Sequence, residues 1–487
     1  MSNSIFRTKS VEQSIAETDE PGHRLKKELT AFDLTVFGIG VIIGTGIFVL
    51  TGKQAAINAG PAIVISFILA AIVCGLAALC YAEFASTVPV AGSAYTFSYA
   101  TLGEFIAWII GWDLALELGL GAAVVARGWS SYLHSLLNLP DWLAGDKAIP
   151  DFGAIFIVFV CAALGVIGAK ISGRVTAVLV AIKIAVVLFV IALGAFFIKA
   201  ANYSPYIPPA VPAKTEEGGA APLIQHLLGI TPQHYGLWGI LAASSIVFFA
   251  YIGFDIVATT AEETKHPQRD LPRGIIGSLV ICTVLYAAVS FVITGMANYK
   301  QLDTGAPLAL AFELVGQDWA AKLISLGAIC GITTVVLVLM LGQARVLFAM
   351  SRDRLLPEKL AAVHPRYGTP WIITIVTSVI IAILAAFLDL TKLSELTSIG
   401  TLFAFVVVSI GVVILRKTRP DLHRSFRVPW VPFLPIVAVL ACLWLMVNLP
   451  VDTWIRFVIW MAVGLLLYFP YGRRHSRLAR SSTPSYD

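Results

Sequence analysis

The sequence predicts an all-α integral membrane protein of twelve transmembrane helices, and three observations lead there. Of 487 residues, 58% are hydrophobic and 13% charged, whereas soluble domains are about half apolar and a quarter charged. The polar residues are too few to cover a water-soluble globule of this length. The apolar residues are gathered into long continuous runs, each enough for a helical bilayer crossing. An outer-membrane barrel would instead alternate in segments of about ten residues. Finally, the basic residues between the runs fall mostly on alternate sides.

In chain order the runs are roughly 32–51, 61–87, 104–133, 151–169, 174–198, 235–259, 273–296, 319–350, 370–390, 394–415, 429–448 and 452–471. With a cytoplasmic N-terminus, 23 of the 34 Lys and Arg fall inside. They lie in the N-terminal tail, after spans 4, 6, 8 and 10, and in the C-terminal tail. Seven face outside: Lys53, Lys147, Lys199, Lys214, Lys300, Lys322 and Lys392. The other four, Arg127, Lys183, Arg345 and Arg456, fall within spans. The asymmetry sets both termini in the cytoplasm, although the loop between spans 2 and 3 carries no basic residue. The same scatter argues against a nucleic-acid surface, since the net charge of +5 forms no patch.

The expected organisation is a tail over 1–30, one twelve-helix membrane domain over 31–471 and a tail over 472–487. The polar first thirty residues make the first apolar run a span and not a cleavable signal. Cys74, Cys80, Cys161, Cys282, Cys330 and Cys442 all sit in apolar runs without metal-ligand or disulfide spacing, and read as small buried apolar residues.

Span 1 contains GIGVIIGTGIFVL, with Gly38, Gly40, Gly44 and Gly46 in nine positions. Close helix packing through Gly40 and Gly44 is one reading. A deliberately broken helix is the other, since glycine costs about 1 kcal/mol in a helix interior. Unwound backbone at that depth is tolerated only where it lines a cavity. Span 6, SSIVFFAYIGFDIVATTAEE, carries Gly253 and Asp255. Two interrupted segments at matching places in successive sets of five favour the broken-helix reading and an inverted-repeat transporter with its site between them.

Ionisable residues within spans are functional candidates. Lys183 lies amid VTAVLVAIKIAVVLFVIALG, too deep to snorkel easily, and reads either as a proton carrier or as a structural charge paired with a carboxylate. Glu117 lies mid-span 3, with Asp113 one turn before it on the same face. It is a proton partner, a substrate contact or the counter-ion of Lys183. Asp255 caps the broken end of span 6 or shapes the site. Arg127 has no role that the sequence reveals. Glu83, Glu104, Glu262, Glu263, Arg345 and Arg352 belong near cytoplasmic ends, with solvated or loop-pinning roles. No nucleophile, metal or phosphate-binding motif appears, so an enzyme is disfavoured, no cofactor is expected and a transporter would be driven by a gradient.

The segments AFDLTVFGIGVIIGTGIFVLTG, YAEFASTVPVAGSAYTFSYATLGE, FFAYIGFDIVATTAEETKHPQRDLPRGI, SRDRLLP and FRVPWVP together resemble the bacterial members of the cationic amino acid transporter family, within the amino acid–polyamine–organocation superfamily. The resemblance runs from about residue 25 to 475. It implies the leucine-transporter-like fold, five-plus-five inverted repeats with two added helices, in the cell membrane. It implies an L-amino acid substrate whose carboxylate meets the backbone at Gly44, Thr45 and Gly46, beside Ile43. The α-amino group would meet carbonyls near Ile42, Phe249, Ala250 and Ile252. Lys183 matches a lysine that replaces a sodium ion in proton-coupled relatives, with Thr333 or Thr334 as its neighbour. Glu117 matches an acidic position of the bacterial members. A wall containing Leu339 and Met340 suits small neutral amino acids such as alanine better than arginine. The expected function is proton-coupled uptake, with amino acid exchange as the alternative; protons and the bilayer are the other partners. A small membrane subunit is left open.

Overall fold

A computed structural model describes Arg7 and residues 29–87, 93–168, 173–213 and 221–477. Most of the N-terminal tail, the C-terminal tail from residue 478 on, Lys170 and Lys214 lie outside the described residues, as does the side chain of Glu262.

The main helices are α1 (Ala31–Ile42), α2 (Ile63–Thr87), α3 (Glu104–Leu137), α4 (Phe152–Ile167), α5 (Gly173–Gly194), α6 (Gly236–Val247), α7 (Pro267–Met296), α8 (Asp318–Arg352), α9 (Trp371–Phe387), α10 (Leu390–Thr418), α11 (Phe433–Val447) and α12 (Val451–Leu467). Each coincides with one of the apolar runs. Eight helical stretches among the described residues are long and apolar enough to cross a membrane; α1, α4, α9 and α11 are shorter apolar helices. Shorter helices Ser93–Thr101 and Pro307–Leu314 lie in connections, and the only strands among the described residues pair Val211–Pro212 with Gln233–His234.

Local chemistry explains several ends. Thr30 and Asp33 form a reciprocal capping box at the start of α1. Asn138 closes α3 in the left-handed conformation (φ 49°). Asp151 caps α4 by accepting from the Ala154 amide.

The helices pack in two groups. In one, α7 lies along α1 and α2, and α6 along α2; in the other, α3 lies along α8, α4 and α9. Helix α5 packs on α8, α7 and α1, while α10 packs on α3 and α11. Helix–helix adhesion within lipid rests on close packing and not on water exclusion. The α3–α12 contact accordingly stacks Trp112 on Trp108 and on Trp460, with ring centroids 5.8 and 4.4 Å apart. At one end of α2 and α10, Glu83 accepts from Arg416 Nε at 2.8 Å and Nη2 at 2.5 Å, and from the Val428 amide at 2.6 Å. This bidentate clamp ties α2 to α10 and the loop after it. Glu104 is similarly held by the hydroxyls of Tyr468 and Ser476. Both acids therefore pin loops and helix ends, as the sequence suggested.

Candidate substrate site

Helix α1 stops at Ile42. Ile43 is extended (φ −72°, ψ 98°), and the chain resumes at Gly46–Leu50 as a wide π-helical turn. Past α6, the chain tightens to a 3-10 turn at Phe248–Tyr251 and then extends at Ile252 (φ −61°, ψ 135°). Gly253 follows with φ +126°, a conformation that glycine alone adopts readily. Both predicted breaks are present, and they touch. A Cβ at Gly46 would stand 2.4 Å from the Ala250 Cα, so only glycine permits this approach.

Between the breaks lies a cavity of about 20 Å³, room for roughly one water. Val41, Ile42, Gly44, Thr45 and Gly46 line it from the first break, and Phe249, Ala250 and Ile252 from the second. Gly121 and Val125 of α3 and Val335 and Leu339 of α8 complete it. All the predicted substrate residues are there except Ile43 and Met340, which are buried but do not line the cavity. Leu339 faces the cavity and its neighbour does not, because consecutive helical residues point about 100° apart. Every lining side chain except that of Thr45 is apolar or glycine. The Thr45 hydroxyl is fully buried and has no hydrogen-bond partner among the described residues, which leaves a donor at the cavity wall. It packs against Gly128 of α3.

The sequence reading missed Tyr286. Its hydroxyl on α7 lies 2.7 Å from the Ile42 carbonyl and 2.8 Å from the Ala250 carbonyl. One proton thus serves an oxygen from each break, and these are two of the carbonyls expected to meet the substrate's amino group. A carbonyl oxygen has two lone pairs, so each retains capacity for a second donor.

Lys183 is fully buried, and its ammonium group donates to the Gly40 carbonyl at 2.5 Å, just before the first break. Its methylene chain lies against Gly331 of α8. Thr334 donates to the Gly331 carbonyl, while Thr333 accepts from Trp129 Nε1 at 3.0 Å; neither threonine bonds Lys183. The structure does not bring Lys183 and Glu117 together. Glu117 is buried on α3 with no cation against it among the described residues; its acidic neighbours are Asp113 and Asp255, and the Thr401 side chain lies beside it. Its reading as the counter-ion of Lys183 therefore gives way to a separate acidic pocket beside α10, where Gly400 backs Asp113 and Glu117. Asp255 caps the second break by accepting from the Gly253 amide at 3.2 Å. Arg127 donates to the carbonyls of Asp146 (2.8 Å), Ala385 (3.1 Å) and Ala148 (3.4 Å).

Paired breaks around a cavity, with a buried lysine bonded to the main chain just before the first break, are the arrangement expected of a solute site inside a membrane protein. A family model described as amino acid permease matches residues 29–468. The chain belongs to the amino acid permease family. This permease is a transporter and not an enzyme. It is 46% identical to the methylthioribose transporter of Bacillus subtilis, covering 98% of this chain and 99% of that one. It is 45% identical to the branched-chain amino acid permease BcaP of the same bacterium, over 98% and 100%. The vacuolar cationic amino acid transporter 4 of Arabidopsis thaliana is 32% identical over 98% and 96%. The resemblance drawn from the motifs thus holds, and the permease is a multi-span membrane transporter like those of bacterial cell membranes.

Proposed function

We propose that this permease is a proton-coupled symporter that takes up neutral amino acids with small or branched apolar side chains. The single observation that carries the reading is the Lys183–Gly40 hydrogen bond. It joins an ionisable amine on α5 to the main chain of the broken helix that walls the cavity. Protonated Lys183 has a full ammonium to offer Gly40 and holds α1 against α5; neutral Lys183 offers a weaker bond and lets α1 move. Proton uptake and release would thereby set the position of α1. Glu117, with Asp113 and Asp255 beside it, supplies a second proton-holding place, because unpaired carboxylates this deep cannot all carry charge.

The substrate's carboxylate would lie at Gly44, Thr45 and Gly46, taking the Thr45 hydroxyl as a donor. Its ammonium would share the Ile42 and Ala250 carbonyls with Tyr286. The side chain would face Val125, Val335 and Leu339, which offer no partner to a cationic group. The relative named for branched-chain amino acids supports this choice. The two helix groups support alternating access. Helices α1, α2, α6 and α7 and helices α3, α4, α8 and α9 each pair members five apart, as a five-plus-five inverted repeat requires. Twelve spans with both termini inside complete the reading.

The test is uptake of L-leucine, L-alanine and L-arginine into proteoliposomes with an imposed pH gradient, wild type beside Lys183→Ala. Acid outside is expected to drive accumulation of leucine and alanine but not arginine by the wild type, with no need for sodium. Lys183→Ala is expected only to equilibrate them. Uptake that ignores the gradient and requires internal amino acid would make the protein an exchanger. Competition by methylthioribose stronger than by leucine would move the substrate to a class without carboxylate or ammonium.

A further inference from the structure

The loop that follows α10 is held together by its own charges, and the pairing leaves a definite set of cations over. Arg416 and Arg424 both meet Glu83, at 2.5 and 3.6 Å. Arg424 also donates to the carbonyls of Arg419 at 2.7 Å and Leu422 at 2.9 Å. Arg419 pairs with Asp421 at 3.1 Å. Lys417 and Arg427 are exposed, and neither has an acidic partner among the described residues. The clamp gathers these two at one place. Arg416 donates to the Val428 carbonyl at 2.9 Å, so Lys417, the residue after Arg416, and Arg427, the residue before Val428, flank a single contact. A third cation comes from another helix. The Ser425 hydroxyl donates to Gln268 Oε1 at 3.0 Å. The next residue, Arg269 at the start of α7, is exposed and likewise has no acidic partner among the described residues.

Just beyond Arg427 comes Trp430. Its backbone has φ +50°, a conformation that a bulky residue adopts only at a cost, and its indole is 78% exposed. The Leu434 amide donates to the Trp430 carbonyl at 3.1 Å, so this tryptophan stands at the first turn of α11. From there Phe433, Ile436 and Leu440 are spaced to share one face of α11, and all three are exposed. Cations, then an aromatic collar, then an apolar stripe follow one another along the surface. An anionic phospholipid presents the matching order of headgroup, interface and acyl chain.

We propose that Lys417, Arg427 and Arg269 bind the headgroup of an anionic phospholipid, with Trp430 at the glycerol level and an acyl chain along Phe433, Ile436 and Leu440. A phosphodiester offers acceptor oxygens to several donors at once, and a guanidinium can meet two of them in parallel. A zwitterionic lipid would set its own cation among three others, so the site selects for net negative charge. The bound lipid joins the start of α7, which lies along the broken first helix, to the end of α10. Neither helix end reaches the other through an ion pair among the described residues, and the headgroup supplies that link.

The test is native mass spectrometry of the purified full-length protein in neutral detergent, titrated with phosphatidylglycerol or phosphatidylcholine of identical acyl chains. Wild type is expected to take its first phosphatidylglycerol with roughly tenfold higher affinity than its first phosphatidylcholine. The double variant Lys417→Gln/Arg427→Gln is expected to lose that preference, and Trp430→Ala to weaken the first phosphatidylglycerol roughly threefold. Lys359→Gln/Arg366→Gln removes the same charge from exposed positions after α8 and is expected to keep the preference. A thermal melt within the wild-type range shows that each variant is folded. Equal affinities in the wild type, a preference kept by folded Lys417→Gln/Arg427→Gln, or an equal loss in both double variants overturns the site. Displacement of the first phosphatidylglycerol by inorganic phosphate would make it a site for a free anion. A preference that appears only in Glu17→Gln/Asp19→Asn/Glu20→Gln would give the patch to the chain's own acidic tail. Either result also overturns the lipid site.

Discussion

Gly46 has no room for a side chain, and the nearest obstacle is backbone. A methyl group there would stand 2.4 Å from the Ala250 Cα, and a main chain cannot rotate away as a side-chain tip can. Gly46→Ala is expected to force the two breaks apart, to cost about 1–3 kcal/mol and to lower leucine uptake at least tenfold. Uptake beside thermal stability checks this; near-wild-type uptake would show that the contact is dispensable. Residues of this kind were legible in the sequence because glycine and charge are expensive inside an apolar run. Gly44, Gly46, Lys183 and Glu117 stand out for that reason alone. Val125 and Val335 could not, being apolar residues among apolar residues. Tyr286 was hidden differently, since a tyrosine in a membrane helix is unremarkable until two chain-distant carbonyls are seen beside it. Met340 shows the limit of phase, because a one-residue error on a helix turns the side chain away from the cavity. The choice among the three readings of Glu117 stayed open for the same reason: sequence gives depth, and not azimuth.

Among the elements, the Glu83 clamp offers the clearest stability test. Glu83→Gln leaves Arg416 without its carboxylate and Val428 with a weaker acceptor. The loss is expected to be about 2–4 kcal/mol, below the range for a fully buried pair because Arg416 is partly exposed. A lower Tm in detergent checks it, and an unchanged Tm would mean that water replaces the pair. Where each helix falls was readable throughout, because uninterrupted apolar runs admit little else in lipid. The ends were less so. Helix α3 runs to Leu137, several residues past the expected end, because Asn138 and not the last apolar residue stops it. Helices α4, α9 and α11 are shorter than their runs, with 16, 17 and 15 residues. At about 1.5 Å per residue they fall short of a 30 Å hydrocarbon core; as the spans proposed above, they would need a locally thinned bilayer or snorkelling side chains at their ends.

For the whole molecule, the proposed placement of both termini in the cytoplasm makes a prediction about sidedness. Cys74, Cys80, Cys161, Cys282 and Cys442 are buried and Cys330 is partly so, none of them in a disulfide, so the native background should react slowly. An impermeant thiol reagent added to intact cells is expected to label Lys199→Cys and to spare Lys417→Cys until the membrane is opened; both side chains are exposed. The reverse pattern would invert the molecule. The charge asymmetry made orientation arguable from sequence alone, but the division into two helix groups was not, because it depends on which apolar faces meet.

The shared proton of Tyr286 bears on what the carrier does when it travels without cargo. Main-chain oxygens bared by a broken helix would be costly to enclose in a dry protein, and a carrier that could not enclose them unloaded would be confined to trading one solute for another. On the proposed function, a single hydroxyl reaching both oxygens would act as a resident stand-in for the ammonium group and make the unladen return passable. Tyr286→Phe is accordingly expected to slow net accumulation by roughly tenfold, the weight of one charge-free hydrogen bond lost at a buried acceptor, while trans-stimulated exchange stays closer to wild type. Equal losses in both assays would mean that the tyrosine merely props the fold. The protein's capacity to concentrate a nutrient, as opposed to swapping it, would then hang on one phenolic hydrogen.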